Sequence, residues 1–201
     1  MSTDWRERVD LEGPRLRLTP LVVADAPAFR AGLGTPQEAA EVVQHLSFAA
    51  PKDDDEARAH LVKVLADPNR VAYAIRIRES GAFIGTTSFY EIDPDLQSLA
   101  IGHTWIARTH WRTSVNTEAK LVLLTRTFEG LGAERVVWHT DIRNTRSQQA
   151  IARLGAQREG VLRHHRRRLD GSWRDTVQYS MLKDEWPAVR QQLTAALDAR
   201  R

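Results

Sequence analysis

The chain has 201 residues, 42% of them apolar and 27% charged, and it contains no cysteine. That length and balance exclude disorder, collagen-like repeats and disulfide scaffolds, and the missing cysteine excludes thiolate metal sites and a cysteine nucleophile. Twenty-nine Lys and Arg against 26 Asp and Glu leave a net charge of +3, too small a surplus to argue for nucleic acid.

No stretch approaches the roughly 18 apolar residues of a membrane-spanning helix. The opening Met1-Ser2-Thr3-Asp4-Trp5-Arg6-Glu7-Arg8 is too polar for the core of a leader peptide. Nothing divides the chain: there is no repeat, linker or low-complexity block. The expectation is one domain over residues 1–201, soluble and cytoplasmic, with no membrane partner.

Arg15 to Pro20 alternates polar and apolar and reads as a first strand. Ala24 to Leu33 is helical, Gly34-Thr35-Pro36 breaks it, and a short helix follows to Val43. Asp53-Asp54-Asp55-Glu56 places acids at a helix start, where the macrodipole favours them. Ala57, Leu61, Val64 and Leu65 share one face of that helix before Asp67-Pro68-Asn69 ends it. Strands follow at Val71 to Ile77 and Phe83 to Tyr90, and Leu99, Ile101, His103 and Trp105 alternate along a fourth. The spacing predicts a helix from about Thr117 to Gly130, with Leu124, Phe128 and Leu131 inward. A fifth strand spans Arg135 to Asp141, and Asn144 caps a helix with Ala150, Ile151 and Leu154 inward, ended by Gly155. Gln157 to Arg168 and Ser172 to Leu182 form a hairpin around Leu169-Asp170-Gly171. A last helix carries Trp186, Val189, Leu193 and Leu197 on one stripe. Strands cluster first and helices interleave later, which is α+β order rather than a doubly wound sheet.

One segment carries chemistry. The fourth strand leads through the loop Ala107 to Ser114 into a helix opening Val115-Asn116-Thr117-Glu118. The free N–H groups and dipole of a helix start bind anions, and Arg112, Thr113 and Ser114 would add a guanidinium and two hydroxyls. Simple capping explains the hydroxyls equally well.

In these segments the chain resembles the GNAT superfamily of acyl-CoA-dependent N-acyltransferases, within it the ribosomal-protein N-terminal acetyltransferase-like (RimJ/RimL-type) group. The carrying residues are Ile101-Gly102-His103-Thr104-Trp105, Trp111 to Ala119, Asn144-Thr145-Arg146-Ser147 with Leu154-Gly155-Ala156, Arg158 to Arg163, and Asp170 to Asp175. The resemblance implies a mostly antiparallel mixed α/β (α+β) sheet of about seven strands, helices on both faces, and a splayed fourth and fifth strand. It implies acetyl-CoA as cosubstrate, no metal, and an amine acceptor, either a protein N-terminus or a small molecule. Pairing into a homodimer through sheet edges is implied by analogy. Three departures stand out. The glycine-type positions of the family's phosphate loop are filled by Ser114 and Asn116, where Asn tolerates positive φ. Ala100 replaces a frequent glutamate, and Ile151 falls where a tyrosine general acid is common.

The implied chemistry is direct attack of an amine on a thioester. His103 is the first candidate base, with Glu91 and His139 as alternatives on neighbouring strands. Backbone N–H groups around Trp105 and Ile106 would hold the oxyanion. Arg112, Thr113, Ser114, Val115, Asn116 and Thr117 would bind the phosphates. Asn144 and Ser147 would line the pantetheine path, and Ser147 would donate to the leaving thiolate, or else only bond back to its own helix start. Two readings compete with catalysis: a non-catalytic acyl-CoA or ligand binder, motivated by the departures, and an RNA- or ribosome-associated protein using Arg163-His164-His165-Arg166-Arg167-Arg168. No aromatic platform interleaves with that run in the sequence, and Trp173 and Tyr179 are expected in a core or dimer face.

Overall fold

The computed structural model describes residues 4–199; Met1-Ser2-Thr3, the start of the polar opening, lies outside them, as do Arg200 and Arg201. The strands are β1 (Leu11–Glu12), β2 (Leu16–Pro20), β3 (Arg70–Ile77), β4 (Phe83–Asp93), β5 (Ser98–Ile106), β6 (Arg135–Asp141), β7 (Gln157–Arg167) and β8 (Trp173–Leu182). They form one eight-stranded sheet in the order β1-β2-β3-β4-β5-β6-β8-β7. Every neighbouring pair is antiparallel except β5 and β6. The strand beyond the expected seven is β1, whose Leu11 and Glu12 face Leu18 and Arg17. Two residues are too few to show an alternation in sequence.

The helices are α1 (Ala26–Gly32), α2 (Pro36–Val43), α3 (Asp54–Leu65), α4 (Val115–Thr125), α5 (Thr145–Arg153) and α6 (Trp186–Asp198). They cover both faces, and β3 shows why. Val71, Tyr73 and Ile75 pack into a core with Ala119 and Leu123 of α4, Ile151 of α5 and Leu193 of α6. Ala72 and Ala74, pointing the other way, join a second core with Phe29 of α1, Val42 of α2 and Leu61 of α3. A strand buried on both faces shows its alternation in size, large on one side and alanine on the other, rather than in polarity. Helix α4 starts at Val115, two residues before the predicted start, and a π-helical turn, Arg126–Gly130, continues it to the predicted end.

Two irregularities position the site. Strands β5 and β6 pair only at Ser98↔Arg135, Leu99↔Val136 and Ala100↔Val137, after which they separate, as the family resemblance implies. Within β5, Gly102 faces Ser88 while Trp105 faces Thr86, so β5 carries one extra residue there, and His103 takes φ 49°. This bulge corrects the predicted alternation. Leu99 and Ile101 lie in the α4-side core, whereas Trp105 lies in the opposite one, because the extra residue reverses the pleat.

Candidate active site

Strands β5 and β6 run parallel, so the helices that follow them, α4 and α5, both begin at the open end of the splay. The loop before α4 is self-braced. Trp111 Nε1 donates to the Ile106 carbonyl (2.8 Å), and the Thr113 hydroxyl donates to the His110 carbonyl (2.7 Å) while accepting from Val115 N (3.3 Å). The loop's left-handed residue is Arg112, at φ 62°. Ser114 has φ −76° and Asn116 is helical, so neither position requires glycine; tolerance of positive φ is not what admits Asn116. What remains for an anion is the exposed Arg112, the Ser114 hydroxyl, and the first-turn amides of Asn116 and Thr117, which have no acceptor within the helix. The Thr113 hydrogen and the Val115 amide are already committed. At α5, the Asn144 carboxamide oxygen accepts from Ser147 N (3.0 Å), the capping expected of it. The Ser147 hydroxyl makes no hydrogen bond among the described residues, and Arg146 of α5 stacks over Trp111 at 3.9 Å, joining the two helix starts.

Backbone direction adds a donor. Ala107 N donates to the Ile84 carbonyl (2.7 Å), so by alternation the Trp105 N–H also turns toward β4, while that of Ile106 points into the gap. Of the two residues expected to present an oxyanion donor, Ile106 is thus the one that faces the splay. Trp138 Nε1, on β6, is buried without a partner. An extended polar ligand with an anionic head fits this donor set.

On the opposite face, the α1–α3 side, titratable groups converge. Tyr90 Oη lies 3.2 Å from His139 Nδ1, and His139 Nε2 lies 3.1 Å from Gln178 Oε1. Tyr90 reaches β6 from β4 because Gly102 lies between: a Cβ there would stand 2.8 Å from Tyr90 Cε1. Glu91, at φ 50°, places its carboxylate 3.5 Å from His139 Nδ1 and 3.0 Å from Arg166. The two alternative bases are therefore in contact. His103 stacks edge-on against Tyr90 and borders a small pocket with Phe29, Phe48, His60, Arg70 and Thr86. Burial, reinforced by Arg70, Arg166 and Arg174, pushes His103 down to about 3. That imidazole is neutral at neutral pH and a weak proton acceptor.

Residues 15–157 match the family model described as the acetyltransferase (GNAT) domain. This chain belongs to the GNAT acetyltransferase family. It is 28% identical to the uncharacterized N-acetyltransferase p20 of Bacillus licheniformis over 73% of this chain and 83% of that one. A GCN5-related N-acetyltransferase structure from Brucella melitensis superposes with TM-score 0.90 at 29% identity, covering 95% of this chain and 86% of that one. Mycobacterium smegmatis RimJ, solved in complex with CoA-disulfide, shares the fold at TM-score 0.77 and 22% identity, over 98% and 96% of the two chains.

In this GNAT enzyme, Ala100 and Ile151 are buried in the fold, at 1% and 6% exposure, with no polar group in place of the carboxylate or phenol common among relatives. Sequence reasoning missed three residues near the splay. Tyr90 and Arg174 carried no signal, since each depends on contacts across strands. Lys120 carried one: it lies a turn before Leu124 on the predicted inward stripe. It is buried, its Nζ 2.9 Å from Thr104 Oγ1 and 3.5 Å from Thr87 Oγ1, and burial pushes it down to about 7. The basic hairpin keeps one of its two aromatic residues at the surface. Trp173 is not in a core but 46% exposed, stacked on His164 and capped by Arg167 at 3.6 Å. Tyr179 is buried as expected.

Proposed function

We propose that this acetyltransferase moves the acetyl group of acetyl-CoA to a primary amine by direct attack, using one domain that spans the chain. The observation that carries the reading is the splay itself. Two helix starts and unpaired donors lie at its mouth and on the α4 side, and a titratable cluster lies on the other, so thioester and amine would meet from opposite faces. A bound acyl-CoA supplies an activated carbonyl and a thiolate leaving group. Arg112, the Ser114 hydroxyl and the Asn116 and Thr117 amides would hold its phosphates, and Asn144 with Ser147 its arm. The Ile106 N–H would take the developing oxyanion, and the Ser147 hydroxyl would donate toward the sulfur.

An ammonium has no lone pair, so the amine must lose a proton first. We assign that role to the Glu91–His139 pair, which pairs a carboxylate open to solvent with an imidazole oriented by Tyr90 and Gln178, in preference to His103. The same fold holding CoA-disulfide in RimJ supports the ligand class. A cytoplasmic setting, where acyl-CoA is made, accompanies this reading, and pairing into a homodimer would use the exposed edge of β7.

Acetyl-CoA at 100 times its Kd should stabilise the protein by about 2.7 kcal/mol in thermal unfolding. Thiol release with an amine panel should follow. No shift at millimolar acetyl-CoA with an intact fold would overturn the reading; a shift without thiol release would leave only a binder.

A further inference from the structure

We propose that the acceptor amine carries an oxyanion, a carboxylate or phosphate, bound by Arg174 on the side of the splay that holds Tyr90 and His139. This rests on acetyl transfer to an amine as read above and names the class of acceptor.

Arg174 lies on β8, two pleats from Gln178 and on the same face, so it points toward the side that holds Tyr90, His103 and His139. Its Nε is buried with no hydrogen-bond partner, and its guanidinium forms no ion pair among the described residues. The acids nearby are already engaged. Asp141 is held by Arg168, at 2.6 Å and 2.9 Å, and Glu91 by Arg166. Arg70 is similar: its Nε donates only to the Ser88 hydroxyl (2.9 Å). Arg70 lines the pocket that His103 borders, while Arg174 shares its face of β8 with Gln178, the partner of His139. Cations withdrawn from water without a counter-charge are costly to keep, and guanidinium forks match carboxylate and phosphate geometry. A ligand that brings its own oxyanion removes that cost. Phe29, Phe48 and Leu61 line the pocket that Arg70 and His103 border, an apolar flank on the same side of the splay.

The test uses the full chain with CoA present and matched amine pairs at constant ionic strength: leucine and leucinamide, phosphoethanolamine and ethanolamine, and C-terminally amidated Ser-Asp and Ser-Asn peptides. The oxyanion-bearing member of at least one pair should give the larger thermal shift and, with acetyl-CoA, a kcat/KM higher by roughly 10-fold. The responding pair tells carboxylate from phosphate and free amine from peptide. Arg174→Gln should abolish the preference by raising KM, Arg174→Lys should restore part of it, and both should keep the shift caused by CoA. Equal shifts and rates within every pair, or a preference that survives Arg174→Gln, would overturn the proposal. Acetylation of neutral amines without preference sinks this inference alone. Absence of both a shift with acetyl-CoA and thiol release sinks the acetyl-transfer reading as well.

Discussion

Single residues here are governed by what burial leaves them to bond with. Glu118 of α4 is buried at 1% exposure and loses nothing by it, because it accepts from the backbone N–H groups of Arg15 and Leu16 and pairs with Arg15 Nε. Lys120, two residues on, has only two threonine hydroxyls. Its folded pKa of about 7 lies below the ordinary lysine value of 10.5, so the unfolded chain holds the extra proton between those values and wild-type stability rises with pH across that window. Lys120→Met should therefore stabilise the protein by about 2–5 kcal/mol near pH 6. That gain should shrink as pH climbs from 7 toward 10.5, measured by urea unfolding at each pH. A gain independent of pH would mean that the lysine is not buried as a suppressed cation.

At the scale of elements, the site is made by departures from regular strand geometry. The bulge at His103 turns Trp105 into the α1–α3 core, and the left-handed residue Glu91 ends the regular pairing of β4. Glycine at 102 lets an aromatic ring lie across β5 and touch β6. Gly102→Ala should drive Tyr90 off His139, at a stability cost of about 1–3 kcal/mol. Its acetyl-transfer rate should fall further than that of an equally destabilised variant elsewhere in the core. Thermal unfolding and initial rates on the same samples separate the two effects. The hairpin of β7 and β8 is tied down by Arg168 on Asp141, whose carboxyl is raised by burial but lowered more by that guanidinium and the Arg143 amide, for a net downward shift. This anchor brings Arg174 to the splay.

Over the whole molecule, the modest positive surplus has been spent locally. Of the four arginines between positions 163 and 168, Arg166 pairs with Glu91 at 3.0 Å, Arg168 with Asp141 at 2.6 Å, and Arg167 lies over Trp173 at 3.6 Å. A surface so committed offers few cations to phosphates. RNA retention at 0.15 M salt should be undetectable in filter binding; a salt slope steeper than about −3 would show that several of these arginines are free for RNA. The sheet meanwhile separates two cores, and the splay joins their two sides only at the ends of β5 and β6.

Much of this was legible in the sequence wherever a local pattern repeats. The helices and the long strands follow from periodicity, to within two residues at the start of α4, and the cap at Asn144 from its side chain. Glu91 and His139 were each nameable from residue type. Their contact was not, nor was the downward shift of His103. These depend on a single extra residue in β5, a missing side chain at 102 and arginines arriving from β3 and β8, and an alternation pattern carries no record of partners far along the chain. The sequence alone determined which groups the protein possesses and which elements hold them. Only the tertiary structure decided which of them lose water together, and desolvation among specific neighbours is what sets their charge and chemistry.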